Sequence, residues 1–436
     1  MANKTVLRLT RTILRPFRSV FRPLFPQWLV NYFYHLPIAF LAARMYGNPG
    51  KDLEIIGVTG TDGKTTTSLL IYHILKTARK KVAVITTIEA RIGRKKIKTG
   101  FHVTSPNSWK LQKLLRQIRS RKFRYVVLET TSHGLDQFRL YPLRPSVAVL
   151  TNITHEHLDY HKTFKKYLQA KLKLFRHAKH AVINKDLPIF SVFNESLPKV
   201  HFSTYSLTSD SQMKPSEVKF FKTSTKFLLG NIEYTSTLTG RYNLYNTLAA
   251  ISTCLILDIS PSEIKRALAS FPAVKGRLEP IENKHGIRAY IDFAHTPNAL
   301  HEVLSNLASQ KAPGEKLVVV FGSAGLRDKS KRPLMGTAAS EFADSIILTS
   351  EDPRTEDAQS IAEEILAGIP ESKRVSVEIE INRGKAITKA VEQAKKGDYL
   401  VICGKGHEET MCFGYTEYPW SDQETLAQAL KEKSSE

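Results

Sequence analysis

The stretch LEIIGVTGTDGKTTTSLLIYHILKTARK, residues 53–80, decides the fold. LEIIGVTG is a short apolar run ending in glycine, which reads as a buried strand entering a turn. TTTSLLIYHILKTARK follows with helical spacing, and KVAVITTI (81–88) reads as the next strand. Between strand and helix lies Gly60-Thr61-Asp62-Gly63-Lys64-Thr65-Thr66, the place for a nucleotide phosphate loop. Backbone N–H groups and the helix N-terminus would meet phosphates, Lys64 would neutralise their charge, and the Thr65 hydroxyl could ligate Mg²⁺. The generic G-x-x-x-x-G-K-[ST] pattern is missed by one place, because Val58 stands where its first glycine belongs and the glycine is Gly57. The competing reading is a chance glycine turn. The strand–loop–helix context argues against it.

Further buried strands are expected at 125–130, 147–153 and 180–184, with helical stretches between them. Strands alternating with helices imply a mostly parallel, doubly wound sheet. Residues 199–239, rich in Ser, Thr, Phe and Lys, read as a small antiparallel excursion, and 243–257 as a helix. A second α/β pattern begins after Phe271-Pro272, with strands at 288–294, 316–322, 345–350 and 398–404. The expected class is therefore α/β: a P-loop doubly wound domain at 53–271, then a smaller Rossmann-like domain at 272–436.

Hydrophobic residues make up 42% of the 436, enough for real cores. The formal net charge of +23 suits a nucleic-acid binder, a membrane-surface protein or an enzyme of anionic substrates. No aromatic-rich RNA motif and no helicase set accompanies it, so no nucleic-acid partner is expected. Cys254, Cys403 and Cys412 form no C-x-x-C pair, which argues against a disulfide framework or zinc and fits a reducing cytosol. Residues 1–50 carry Lys4, Arg8, Arg11, Arg15, Arg18, Arg22 and Arg44 and no acid. The aromatic stretch Trp28–Tyr46 holds Asn31, His35, Pro37 and Arg44, which makes it a poor spanning helix. Two readings stand: a basic segment lying on the inner face of an anionic membrane, or a helix packed on the next domain.

Further blocks carry a resemblance. They are ETTSHGLDQFR (129–139), TNITHEHLDYH (151–161), YLQAKLKLF (167–175), GRLE (276–279), DFAHTP (292–297), RDKSKRPLM (327–335), EDPR (351–354) and GKGHE (404–408). With the TGTDGKTT loop (59–66), these resemble, in order, the blocks of the Mur ligase family, closest to the branch that adds the third residue of the cell-wall peptide. Asp62 stands where the family usually has Asn, and Glu351 where it has Asp. That branch opens with a domain holding the uridine nucleotide, for which residues 1–52 are too few.

The resemblance implies a two-step reaction in peptidoglycan synthesis. ATP phosphorylates a substrate carboxylate, and an amine then displaces phosphate from the acyl phosphate. Lys64, Glu129, His157 and Lys171 would be catalytic, and Thr65, Glu129, His157 and Lys171 would serve Mg²⁺. Glu129 also reads so on its own, as a carboxylate at a strand's C-terminal end; its competing reading is a helix cap. The resemblance makes Lys171 a carbamylated lysine. Otherwise it reads as a surface lysine. His155 reads as surface, and H-E-x-x-H is absent, which excludes the zincin reading. Asn246, Arg277, Asp292 and His295 would join the loop in holding nucleotide; Asn246 alone reads equally as a helix cap. Thr104, Ser105, Thr131, Gln137 and Arg139 would hold the muramoyl dipeptide. Arg327, Glu351, Asp352, Pro353, Arg354, Gly404 and Glu408 would hold the incoming diamino acid. An Arg354 fork would grip the distal carboxylate of diaminopimelate, which lysine lacks, and Glu408 would accept from its ammonium. The alternatives are another amide ligase of this type, such as a folylpolyglutamate synthase, or a non-catalytic nucleotide-binding scaffold.

Overall fold

The computed structural model describes residues 25–98, 106–154 and 156–434. Its first sheet grows around β1 (Glu54–Thr59), flanked by β5 (Tyr125–Glu129) and β6 (Val147–Leu150), both parallel to it. The other members are β2 (Val82–Ile85), β3 (Glu89–Ile92), β4 (Lys95–Lys98), β7 (His180–Asn184) and β8 (His201–Tyr205). The eight strands run β4-β3-β2-β5-β1-β6-β7-β8. Successive side chains face opposite layers. Ile56, Val58, Val82 and Val84 enter one core, while Ile55, Ala83 and Ile85 enter the other. A sheet covered on both faces explains why these strands are continuous apolar runs.

Two expectations change here. His201–Tyr205 is not part of the antiparallel excursion, because it pairs parallel to β7 at the sheet edge. The excursion itself is β9 (Ser216–Phe220), β10 (Thr225–Leu229) and β11 (Ile232–Ser236). The β3–β4 hairpin, unforeseen, extends the opposite edge with Lys95 and Lys96 upon it, and edge lysines discourage further pairing.

The second sheet comprises β12 (Glu279–Ile281), β13 (Arg288–Asp292), β14 (Leu317–Phe321), β15 (Ser345–Leu348), β16 (Val377–Ile379) and β17 (Tyr399–Cys403). Its order is β12-β13-β17-β14-β15-β16, parallel except for β12. Alternation again fills two layers, with Leu317, Val319 and Phe321 in one and Val318 and Val320 in the other. A last hairpin, β18 (Thr410–Phe413) and β19 (Thr416–Pro419), follows. The chain passes between the two sheets at Gly276, whose φ is +65° and whose absent Cβ would lie 2.3 Å from the His407 nitrogen. Only glycine fits that backbone approach.

The aromatic N-terminal stretch is helical: Gln27–Val30, a π turn at Asn31–His35, then Leu36–Met45. Pro37 has no N–H to close an α turn, and the π turn before it absorbs the mismatch. Ala39, Ala42 and Ala43 are fully buried, and the segment packs on the helix Ser108–Ser120. Asn31 Nδ2 donates to Asp136 Oδ2 at 2.7 Å, and Tyr32 meets the edge of Phe138 with centroids 5.2 Å apart. Packing therefore holds for one face of this segment. Among the described residues, no helix is long and apolar enough to cross a membrane.

Candidate active site

The carboxyl ends of β1, β5 and β6 open into one cavity of about 1180 Å³. Parallel sheets place ligands at this edge. The phosphate loop follows β1. Gly63, at φ +78°, precedes the helix Lys64–Thr77; a Cβ there would fall 2.2 Å from Asn246 Oδ1. A Cβ on Gly60 would lie 1.8 Å from Thr151 Oγ1, so that glycine serves close packing. The loop is clamped from β6's far end, where Asn152 Oδ1 accepts from the N–H groups of Thr61 at 3.0 Å and Asp62 at 2.8 Å.

Lys64 Nζ donates to the Thr61 carbonyl at 2.5 Å. Burial lowers its pKa, while Glu129 and Asp62 act in the opposite direction. Glu129 ends β5 and is buried. The Thr65 hydroxyl donates to its two oxygens at 3.1 and 3.0 Å, and Thr87 adds its N–H at 3.1 Å and hydroxyl at 2.9 Å. Glu129 therefore caps no helix. Among the described residues, no cluster of three or more His, Cys, Asp and Glu is arranged to hold a metal ion. Magnesium does not need one, since it takes one or two protein oxygens together with substrate phosphates. The Thr65–Glu129 pair is a hard-oxygen donor set of that kind.

Lys171 is buried and lies beneath the loop, not on the cavity wall. Its Nζ donates to the Gly60 carbonyl at 2.6 Å and sits 4.5 Å from the Tyr167 ring centre. It is not the surface lysine that its neighbours suggest. Burial, then the charge of Lys64, holds its pKa well below 10.5, which favours a neutral amine. His157 adopts φ +59° at the start of the short helix Leu158–His161. Burial, then His133, holds it neutral. Among the described residues the buried Nε2 of His161 has no hydrogen-bond partner, and burial lowers its pKa to about 4. His155, Thr104 and Ser105 lie outside the described residues.

The second sheet closes over the loop. Arg277 Nη2 donates to Thr65 Oγ1 at 3.2 Å, and its guanidinium stacks 4.6 Å from the Phe293 ring centre. Asp292 accepts from the Leu278 N–H at 2.6 Å and the Ala294 N–H at 2.7 Å. His295 is kept neutral, with a pKa of about 3 caused by burial and then Lys331. Asn298 Nδ2 donates to Asp62 Oδ2 at 3.1 Å, and Thr296 Oγ1 to Oδ1 at 3.3 Å. Asp62 thus engages the opposite half of the protein, a role that asparagine could fill only in part. Lys331 Nζ spans the halves, donating to the His295 carbonyl at 2.8 Å and Glu156 Oε1 at 3.3 Å. Asn246 lies inside the helix Arg241–Ile256, so it is no cap; its Oδ1 accepts from Thr67 Oγ1 at 3.2 Å.

At the far end of the cavity stand Arg327, Glu351, Asp352, Arg354 and Glu408. Pro353 and Gly404 do not line it. Burial and then the charge of Arg354 lower the pKa of Arg327, so two guanidiniums converge where an anion would be welcome. Arg354 Nη1 donates to the Gly325 carbonyl at 2.8 Å. Lys405 Nζ donates to Asp352 Oδ1 at 2.8 Å and Glu408 Oε2 at 2.5 Å, so one Glu408 oxygen is already engaged. Towards the third side, Thr131 caps the helix Ser132–Asp136, and Arg139 Nη2 donates to Gln137 Oε1 at 2.6 Å. All three line the cavity, beside Trp109 and, from the N-terminal segment, Val30, Tyr34 and Ile38. Sequence reasoning gave Thr87, Asn152 and Lys331 no role. The last two stood inside quoted blocks, and Thr87 follows a strand end, which was a usable signal.

Glu351 offers a test of this geometry. It is buried, its Oε2 has no hydrogen-bond partner among the described residues, and burial pushes its pKa up to about 8. Between pH 4.5 and 8 the unfolded chain ionises this group while the folded one keeps it protonated. The native state then holds more protons, so this group's contribution to stability falls as pH rises. Glu351→Gln removes the cost. We expect its Tm to exceed that of the wild type at pH 8 and the gap to close towards pH 4.5 in calorimetry. A gap that is constant with pH would contradict the assignment.

Comparison with known proteins fits this geometry. Residues 58–254 match the Mur ligase middle domain, and residues 276–406 match the Mur ligase glutamate ligase domain. The UDP-N-acetylmuramoyl-L-alanyl-D-glutamate–2,6-diaminopimelate ligase of Clostridium botulinum is 37% identical over 404 residues, covering 91% of this chain and 81% of its own. A solved structure of a ligase of the same name shares 30% identity with a TM-score of 0.61, covering 92% of this chain and 82% of that one. The MurF ligase of Thermotoga maritima, solved in complex with ADP, shares the fold at 20% identity and a TM-score of 0.64, over 91% and 82% of the two chains. The chain belongs to the Mur ligase family.

Proposed function

We propose that this protein joins a diamino acid, meso-diaminopimelate, to a muramoyl-L-alanyl-D-glutamate acceptor, using ATP and Mg²⁺ in peptidoglycan synthesis. One observation carries the reading: a single cavity has the Lys64–Thr65–Glu129 phosphate end and the Arg327–Arg354–Glu408 end on its walls. Residues 53–271 supply the first and residues 272–436 the second, with 1–52 as the basic, aromatic N-terminal segment.

The acceptor carboxylate oxygen attacks the γ-phosphorus of ATP, and the bond to ADP breaks with its electron pair leaving on ADP. The diamino acid's amine then attacks the acyl carbon. Phosphate departs with the C–O pair, and the amine loses a proton. Lys64 and the loop N–H groups hold the phosphates, and Arg277 adds charge from the opposite half. Thr65 and Glu129 would hold magnesium, which supplies positive charge to the transferring phosphoryl group. His157 and a carbamylated Lys171 support that side. Carbamylation needs a neutral amine whose lone pair adds to the carbon of CO₂ with loss of a proton, and burial shifts Lys171 in that direction. Thr131, Gln137 and Arg139 face the acceptor. Use of ATP supports a cytoplasmic reading.

Phosphate release, measured with acceptor and amino acid each present or absent, tests the reading. Release that requires neither would defeat it. For selectivity, Arg354→Ala removes a charge-assisted contact worth about 1.5–3 kcal/mol, or roughly one to two decades. Its kcat/KM for diaminopimelate should fall by that factor, with ATP affinity unchanged. A wild type that prefers lysine would overturn the pocket assignment.

A further inference from the structure

We propose that the outward face of the helical segment 27–45 docks this protein on an anionic lipid surface. The segment is held at a fixed angle by its inner face, where Ala39, Ala42 and Ala43 are buried and Asn31 bonds Asp136. Its outward face presents Trp28, Tyr32, Phe33, Phe40, Leu41 and Met45, with Trp28 60% and Phe33 76% exposed. Isolated exposed apolar residues are ordinary, but a row of aromatics along one rigid element is not. Arg44 is the one charge among them, and no acid precedes Asp52 in the sequence. Directly ahead of the helix, Lys4, Arg8, Arg11, Arg15, Arg18 and Arg22 recur every three or four residues.

This pairing of features selects the occupant. Trp, Tyr and Phe favour the headgroup level of a bilayer, and Leu and Met favour the acyl boundary beneath it. Neighbouring basic residues add attraction to anionic headgroups. A second copy of the chain would bring another +23 charge against the same basic flank. A nucleic acid would satisfy the charges and leave Leu41 and Met45 in water. The inner side of the same segment supplies Val30, Tyr34 and Ile38 to the cavity wall, so a docked bilayer would lie beside the Thr131–Arg139 side. Docking itself does not depend on the ligase reading.

Flotation of the full chain with vesicles tests this. We expect the protein to float with phosphatidylcholine–phosphatidylglycerol vesicles, about tenfold or more over phosphatidylcholine alone, with the excess lost at high salt. Combined Trp28→Ser, Phe33→Ser, Phe40→Ser and Leu41→Ser should abolish flotation while retaining the thermal shift caused by ATP. Arg8→Gln, Arg11→Gln, Arg15→Gln, Arg18→Gln and Arg22→Gln together should erase the anionic preference while retaining the same thermal shift. Equal flotation on both vesicle types would overturn the proposal. So would wild-type flotation by either variant, or light scattering that shows a wild-type dimer dissolved by the four serines.

Discussion

Lys64→Ala will give a folded protein whose ATP turnover has collapsed. Lys64 is the cation of the phosphate loop, and its ammonium stands one helical position before Thr65. Removing a single preorganised electrostatic group from such a site costs about 10²–10³ in rate, and a full charge against phosphate belongs at or beyond the upper end. The fold should survive. Gly63 still enters the helix in its left-handed conformation, and alanine is the better helix former. Burial depresses the lysine's pKa, so its charged form is held in the fold at a cost. The variant's Tm should therefore equal or exceed that of the wild type. Phosphate release and calorimetry on one preparation decide the matter. Near-normal turnover by a folded variant would remove Lys64 from the chemistry.

The second large effect is expected at Lys171. A lysine under a phosphate loop, bonded to the Gly60 carbonyl and paired with no acid among the described residues, has a weak structural rationale. A carbamate there would put an anion beneath the loop where an uncharged amine is favoured. Lys171→Ala should lose about two decades of turnover or more, on the scale of one lost electrostatic group. A short carboxylic acid in the buffer should restore part of it by returning the missing oxygens. Full activity without any addition would end this role.

How much of this was legible beforehand depended on where each signal resides. β1, its loop and the following helix could be read because a continuous apolar run, a glycine turn and helical spacing each occupy adjacent residues. The β3–β4 hairpin could not, since Lys95 and Lys96 at an exposed edge resemble a linker. β8 was misassigned because its partner, β7, lies a helix away in sequence and its residues are only half-buried. The blocks containing Glu129, His157 and Arg354 pointed to residues that do line the cavity. Gly60 and Lys171 lie behind that wall, a distinction that depends on packing depth. Thr87, Asn152 and Lys331 are ordinary polar residues until the parallel topology carries them to one edge. The pairing of Asp62 with Thr296 and Asn298 joins positions more than 230 apart, beyond any local pattern.

Gly276 has a mechanical consequence. Its backbone is pressed against Gly406 and His407 with no space for a side chain. Arg277 next to it already reaches Thr65, so the residue locked against the second half and the residue that touches the phosphate loop are adjacent. Val274 is packed in the core of the first half, so any swing of the second sheet would fall on Lys275, a one-residue leader, with Gly276 travelling as a rivet on the moving half. Substrates would then enter by a jaw opening about that short leader, and Arg277 would leave the phosphate loop as soon as the jaw parts.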